Sequence, residues 1–145
     1  MFAPGFYGNW YFALSAVGFG VLLPVIASLH IRHEPLRRSG ALLGTIAGTC
    51  VVLAGLGGAP ETNPASIVAR VVWWWTIGKM WSETNLLPRI FGWVTMVGAV
   101  LFAAVGASTA LGGRVDLSPD VALRLVFAGW LVILSVLLWP RRPLA

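Results

Sequence analysis

Two arginines within apolar stretches, Arg70 and Arg124, are the residues best placed to bind an anionic group. Each is predicted about one turn inside the end of a membrane-crossing helix, where a guanidinium can hold a lipid phosphate. Trp74 follows Arg70 by one helical turn, so its ring can cover the arginine stem and offer a cation–π contact. The pattern predicts a contact with lipid or with a partner at Arg70, Trp74 and Arg124. The alternative is that both arginines simply extend to the headgroups, as long cationic side chains do near helix ends.

Histidine and cysteine are too sparse for a recognisable metal centre. His30 and His33 are the only histidines, and on a helix they share one side, so they cannot hold a haem iron from opposite faces. One of them can still serve as a single axial ligand, or join Glu34 in a weak metal site. The alternative is a pair of interfacial histidines beside a basic loop. The sequence contains no HExxH, CxxC or glycine-rich phosphate-loop motif, so it predicts no metal site and identifies no cofactor.

The acidic residues lie at the wrong depth for proton-coupled transport, which usually needs a carboxylate inside a membrane span. Asp116 and Asp120 are instead placed to neutralise part of the charge of Arg70 and Arg124. Without a catalytic constellation, the sequence predicts a protein that is not an enzyme. All five acidic residues fall in predicted loops or at helix ends: Glu34, Glu61, Glu83, Asp116 and Asp120.

The composition indicates an integral membrane protein. Of the 145 residues, 58% are hydrophobic and 10% are charged, whereas soluble domains are about 25% charged. The length suits one domain, and several helices of about 20 residues would use nearly all of it. The net charge of +5 comes from basic residues between apolar segments, which indicates orientation in the membrane and not nucleic-acid binding. A single cysteine, Cys50, excludes an intramolecular disulfide.

The apolar segments predict an all-α fold, a polytopic bundle of five transmembrane helices in one domain. The third segment decides the count, because it carries Arg70 and Lys79. At about 100° per residue these charges lie on opposite faces, whereas a helix in the membrane plane has one polar face. Five spans are therefore preferred to four spans and an interfacial helix. The expected spans are residues 9–30, 39–56, 65–81, 87–111 and 120–139.

The basic residues predict which side each loop faces. With five spans, seven of the ten basic residues lie on one side, which the positive-inside rule makes cytoplasmic. The N-terminus is then extracytoplasmic and the C-terminus cytoplasmic. The excess of arginine over lysine suggests a bacterial source, and therefore the inner membrane. The cytoplasmic set is Arg32, Arg37, Arg38, Lys79, Arg89, Arg141 and Arg142.

Small residues at four-residue spacing predict close helix packing. Gly40, Gly44 and Gly48 form such a stripe in the second span, and small residues let another helix approach closely. The contact is expected within the chain, the alternative being a contact between protomers, and a second stripe in the fourth span could receive it. That stripe consists of Thr95, Ala99, Ala103 and Ala107.

Packing stripes and aromatic surfaces favour a non-catalytic membrane subunit or scaffold that docks against other membrane proteins. The rival is a small homo-oligomeric carrier or binder of a lipophilic ligand, because the eight tryptophans can line a pocket for a quinone, a carotenoid or a lipid. Membrane lipids are the expected partners in either case, together with other membrane subunits or copies of the same chain.

Overall fold

The protein is an all-helical chain in the part that the structure describes, as the sequence predicted. A computed structural model describes residues 4–57, 63–84, 86–111 and 119–138, and the side chains of residues 4–16, 109 and 119–124 lie outside that description. The helices are α1 (Pro4–His33), α2 (Arg38–Leu56), α3 (Pro64–Thr84), α4 (Arg89–Ala110) and α5 (Pro119–Leu138).

Proline and asparagine define several of the helix starts. Pro64 and Pro119 open α3 and α5, a position where the missing amide hydrogen costs nothing and the fixed φ suits the helix. Asn63 precedes α3, and its Oδ1 accepts a hydrogen bond of 2.9 Å from the amide of Ala65, which satisfies one free donor of the first turn. Ser118, which precedes Pro119 and is of a residue type that commonly caps helices, lies outside the described residues. The helices begin and end within a few residues of the expected spans, except that α1 already begins at Pro4.

Successive helices run in opposite directions. Two contacts between α1 and α2 show this. Phe19 lies against Gly55, and His30, eleven positions later in α1, contacts Thr45, ten positions earlier in α2. Positions therefore rise along α1 as they fall along α2. Side chains further along the bundle pair in the same antiparallel way: Gly40 with Met80 and Gly48 with Trp73 between α2 and α3, and Trp81 with Phe91 and Ile67 with Gly106 between α3 and α4.

Helix α3 lies at the centre of the bundle, between α2 and α4. Its buried residues form one broad face, because one side meets α2, the other meets α4, and the face between them points inward. These residues are Ser66, Ile67, Arg70, Trp73, Trp74, Ile77, Gly78, Met80 and Trp81. Lys79 is exposed on the remaining face. Helix α3, which carries the buried arginine and three buried tryptophans, is thus also the helix around which the others pack.

The glycine stripe of α2 meets α3 and not α4. A methyl group at Gly40 would lie 2.9 Å from Met80 Sδ, and one at Gly48 would lie 2.8 Å from Trp73 Nε1. The prediction that the stripe of the fourth span receives these glycines is therefore wrong, because α3 lies between the two helices. Of the α4 stripe, Thr95 and Ala99 are buried, whereas Ala103 and Ala107 are exposed.

The closest backbone approach of α3 and α4 is formed by two other glycines, Gly78 and Gly92. A methyl group at Gly78 would lie 2.8 Å from the carbonyl oxygen of Gly92, and one at Gly92 would lie 2.7 Å from the carbonyl oxygen of Gly78. The contact is reciprocal and involves backbone on both sides. Only glycine allows two helices to approach in this way, which is the packing that small residues provide in membrane helices.

Two of the described helical segments are long and apolar enough to cross a membrane, Arg38–Leu56 and Arg89–Ser108. Shorter apolar segments occur in α1 and α5, at Val17–His33 and Leu125–Leu138. Arg70 and Lys79 lower the apolar character of α3. Two such helices allow a membrane location, and the count of five spans stays a prediction.

Candidate functional site

Arg70 is enclosed inside the bundle, with only 2% of its surface exposed. Its guanidinium carbon lies 4.6 Å from the ring centre of Phe127 and 5.2 Å from that of Phe102. A cation at such distances is attracted by the negative face of an aromatic ring, by about 2 kcal/mol where water is excluded. The sequence predicted a contact with Trp74 in the same helix and a guanidinium directed outward. The two rings instead come from α4 and α5, which no spacing within α3 could reveal.

The arginine belongs to a cluster of aromatic side chains that fills the interior. Trp74 is its centre: its ring centroid lies 5.0 Å from that of Phe102, edge to face, and 5.0 Å from that of Trp130, tilted by 31°. Such offset and edge contacts contribute beyond the burial of area alone. The aromatic cluster consists of Trp73, Trp74, Trp81, Phe91, Phe102, Phe127 and Trp130.

One indole of the aromatic cluster has its hydrogen bond satisfied across helices. Trp130 Nε1 donates to Thr95 Oγ1 at 2.9 Å, and the Thr95 hydroxyl in turn donates to the carbonyl oxygen of Phe91 at 2.8 Å. The chain of two bonds fixes α5 against α4 in the buried interior, where a polar pair is stronger than at a surface.

Three other donors on α3 lie in the interior without a hydrogen-bond acceptor among the described residues. They are the hydroxyl of Ser66 and Nε1 of Trp74 and of Trp81, whose residues are 4%, 1% and 0% exposed. Ser66 and Trp74 flank Arg70, one turn before it and one turn after it. Sequence reasoning found Trp74 and missed Ser66, although the four-residue spacing of Ser66, Arg70 and Trp74 was a signal for it.

An apolar groove of about 520 Å³ lies between α4 and α5. Trp74 and Trp130 of the aromatic cluster form part of its wall, and Trp93 and Ile133 line it further out. Its flank contains two glycines, Gly98 and Gly129. A second groove of about 390 Å³ lies between α3 and α4, where Val68 and Ala107 are among the lining residues. Flat or chain-like apolar molecules fit such surfaces.

The two histidines lie in the last turn of α1, and both form polar contacts within the chain. His33 Nδ1 lies 2.7 Å from the carbonyl oxygen of Leu29 and therefore donates to it. Burial lowers the pKa of His33, which lies beyond the end of the first expected span, and Arg32 adds to the lowering while the bond to Leu29 opposes it. His30 Nδ1 lies 2.8 Å from Thr45 Oγ1. Among the described residues, no group of three or more potential metal-ligating side chains comes together.

The remaining predicted site residues are only partly described. Arg124 lies within α5, but its side chain is outside the description, as is that of Asp120, and Asp116 falls in the undescribed residues 112–118. Arg70 and Trp74 are both buried on α3, and the contact between them and the contribution of Arg124 stay predictions. Glu83 forms an ion pair with Arg37, with Arg37 Nη2 3.0 Å from Glu83 Oε2.

Comparison of the chain with protein-family models, curated proteins and solved structures found no match.

Proposed function

We propose that the protein is a non-catalytic integral membrane subunit, with five spans, that docks against other membrane proteins through its outer helix faces. The observation that carries this proposal is the outward face of α4, where large apolar side chains continue along the helix. A contiguous apolar surface of this kind suits lipid or the helix of another membrane protein. The exposed residues of this face are Ile90, Trp93, Val94, Val97, Val100 and Leu101.

The packing of the bundle supports a scaffold role as well. The aromatic cluster fills the interior. The outer faces of α2 and α5 also carry exposed leucine, isoleucine and valine side chains. A subunit with a well-packed interior presents a fixed surface, so docking does not require the helices to rearrange.

Cysteine labelling tests the proposed threading. In a Cys50→Ala background, a cysteine at Thr62 should react with a membrane-impermeant thiol reagent added outside the cell, because the loop before α3 is expected to be extracytoplasmic. A cysteine at Leu36, which is 53% exposed beside the basic residues, should react only after the membrane is opened. Labelling of Leu36→Cys in intact cells would refute this orientation.

Purification from native membranes in a mild detergent tests the subunit role. We expect the protein to elute with other membrane proteins, and we expect Val97→Lys on the α4 face to release them, since a charge placed in an apolar interface is costly. Val68→Lys, at an exposed site on α3, is the matched control. A protein that always elutes alone, as a monomer, would contradict the proposal.

A second candidate function, binding of a lipophilic ligand, is favoured by the groove between α4 and α5. Three tryptophans, Trp74, Trp93 and Trp130, lie along its wall. Aromatic walls of this kind bind flat or chain-like apolar molecules. Its test is whether the purified protein in lipid nanodiscs binds such a molecule at all, which a pure scaffold would not do.

A further inference from the structure

Two exposed basic side chains, Lys79 and Arg89, lie beside the close crossing of α3 and α4. Lys79 directly follows Gly78, and Arg89 lies three positions before Gly92, the two glycines whose backbones meet there. At a rise of about 1.5 Å per residue, the two cations lie within one helical turn of the crossing, and their levels along the bundle differ by about 3 Å. The glycine contact therefore brings two basic residues of neighbouring helices to nearly the same level.

The ring contact between the same two helices shows which side of the crossing the cations occupy. Trp81 and Phe91 are buried and stack on the inner side, with their ring centroids 5.3 Å apart. Lys79 precedes Trp81 by two positions, which is about 200° around a helix. Arg89 stands in the same relation to Phe91. Both cations therefore point away from the aromatic cluster, and their long side chains can reach one anion on the outer side of the crossing.

The acidic residue one turn after Lys79 is already paired with another helix. Glu83 Oε2 lies 3.0 Å from Arg37 Nη2 at the start of α2, and Lys79 forms no ion pair with a carboxylate of the described residues. The positive charge at the crossing is therefore not cancelled by Glu83. A phosphate group suits this pair of cations, because arginine binds it through parallel N–H groups and lysine as a compact charge.

An apolar path runs from the two cations along the outer side of α3 and α4. Trp75 lies one turn before Lys79 on the same face and is 49% exposed, as tryptophans are at the level of lipid headgroups. Beyond Trp75 lies the groove of about 390 Å³, whose wall on α3 extends from Val72 to Pro64. Its wall on α4 contains small residues such as Ala107, which is exposed. The groove therefore opens on the side that carries the cations.

An outer seam is formed by Lys79, Arg89, Trp75 and the groove, and its length matches that of one lipid. Lys79 and Pro64 are fifteen positions apart, which is about 22 Å along the axis of α3. One leaflet of a bilayer, including its headgroups, is about 20 to 22 Å thick. A lipid with its phosphate beside Lys79 and Arg89 therefore has its glycerol near Trp75 and its acyl chain at the level of the groove.

We infer that the outer seam binds one anionic phospholipid, with its phosphate between Lys79 and Arg89 and an acyl chain in the groove between α3 and α4. A headgroup with no cation of its own is favoured, because choline or ethanolamine would place a positive charge beside those of the protein. The inference rests on the membrane location in the proposed function. It uses neither the docking face of α4 nor the groove between α4 and α5.

The test titrates the full-length protein with a lipid in a neutral detergent and measures binding by native mass spectrometry. The probes are dioleoylphosphatidylglycerol, which is anionic, and dioleoylphosphatidylcholine, which has the same chains and no net charge. We expect the wild-type protein to bind the anionic lipid more tightly. Lys79→Gln and Arg89→Gln should each weaken that binding about fivefold, the effect of one cation at a membrane surface, and leave binding of the phosphatidylcholine unchanged.

Arg38→Gln is the matched control for the loss of charge. Arg38 is an exposed cation at the same end of the bundle. It lies two positions before Gly40, which faces Met80 of α3, so Arg38 points away from α3. We expect its replacement to leave the affinity for the anionic lipid unchanged. An equal loss in Arg38→Gln and Lys79→Gln would show that only the total charge of this end matters, and would overturn the site.

A second pair of variants tests the position of the acyl chain. Ala107→Leu fills part of the groove and should weaken binding of both lipids. Ala104→Leu should not, since Ala104 is exposed on α4 but does not line the groove. Unchanged affinities in Ala107→Leu would overturn the assignment of a lipid, as would displacement of phosphatidylglycerol by inorganic phosphate at the same concentration, because free phosphate has no chain.

Failure of this inference differs from failure of the proposed function. Equal affinities of the wild-type protein for the two lipids would overturn the outer seam as an anionic lipid site, while docking to other membrane proteins would be unaffected. Recovery of the protein from cells in the soluble fraction would instead contradict the membrane location on which both proposals rest.

Discussion

Replacing Trp130 with alanine is expected to lower the free energy of unfolding by about 3 to 5 kcal/mol, the cost of truncating a large buried aromatic side chain. Trp130 is 5% exposed and contacts rings from two other helices, including Trp74 at 5.0 Å and Phe91 at 6.2 Å. The substitution removes these contacts, opens a cavity and leaves Thr95 without its indole donor. It also removes a principal attachment of α5. The measurement is reversible unfolding in mixed detergent micelles, followed by circular dichroism.

Trp93→Ala is the control for this experiment, because Trp93 is the same residue type but is 62% exposed. We expect it to change the free energy of unfolding by well under 1 kcal/mol, as substitutions away from packed sites do. Trp130→Phe should give an intermediate loss, since it keeps a ring but not the bond to Thr95. Equal effects of Trp130→Ala and Trp93→Ala would show that the aromatic cluster does not hold α5 in place.

Replacing Gly92 with alanine should destabilise the protein by about 1 to 3 kcal/mol, the usual cost of overpacking. The new methyl group would lie 2.7 Å from the carbonyl oxygen of Gly78 and 2.8 Å from the amide nitrogen of Ser82. Both neighbours are backbone atoms of α3, so neither can rotate away and the two helices must separate. Gly78→Ala should have a similar effect, because the contact is reciprocal. Unfolding in detergent measures both.

Gly129→Ala in α5 is the matched glycine control. Apart from its chain neighbours and the backbone of its own helix, no heavy atom of the described residues lies within 4 Å of the position that its methyl group would take. Alanine is also favoured over glycine within a helix by about 1 kcal/mol. We expect this variant to be as stable as the wild type or slightly more stable. A Gly92→Ala protein with the stability of Gly129→Ala would contradict the close crossing of α3 and α4.

The helices could be predicted from the sequence because their signals are local. Apolar runs separated by proline and glycine mark the five segments, and the four-residue spacing of Gly40, Gly44 and Gly48 marks one packed face. Which helix meets that face is a property of the assembled bundle, so the expected partner on α4 was wrong. Gly78 and Gly92 belong to no stripe within either helix. Their role depends on the close approach of two helix backbones, and the spacing of residues within one helix cannot predict where that approach occurs.

The candidate site likewise contains residues that could be predicted from the sequence and residues that could not. Arg70 and Trp74 stood out because a charge and an indole one turn apart are visible in the sequence. Phe102 and Phe127 could not be assigned to Arg70, since they lie 32 and 57 positions later in the chain. Ser66 was overlooked because a serine near the start of a helix usually serves the backbone. Its exceptional property, a buried hydroxyl without an acceptor, exists only once the helices are packed.

The position of the two rings around Arg70 has a consequence for the order of synthesis. Phe102 and Phe127 lie in α4 and α5, which leave the ribosome after α3. In the proposed membrane bundle, a nascent chain that ends before α4 holds its arginine without either ring, and therefore without the two cation–π contacts of the finished protein. Helix α3 is made before α4 and α5, but it becomes fully stable only after both have been made, because each supplies one of the two rings. The surroundings of Arg70 are therefore complete only when α5 has been made.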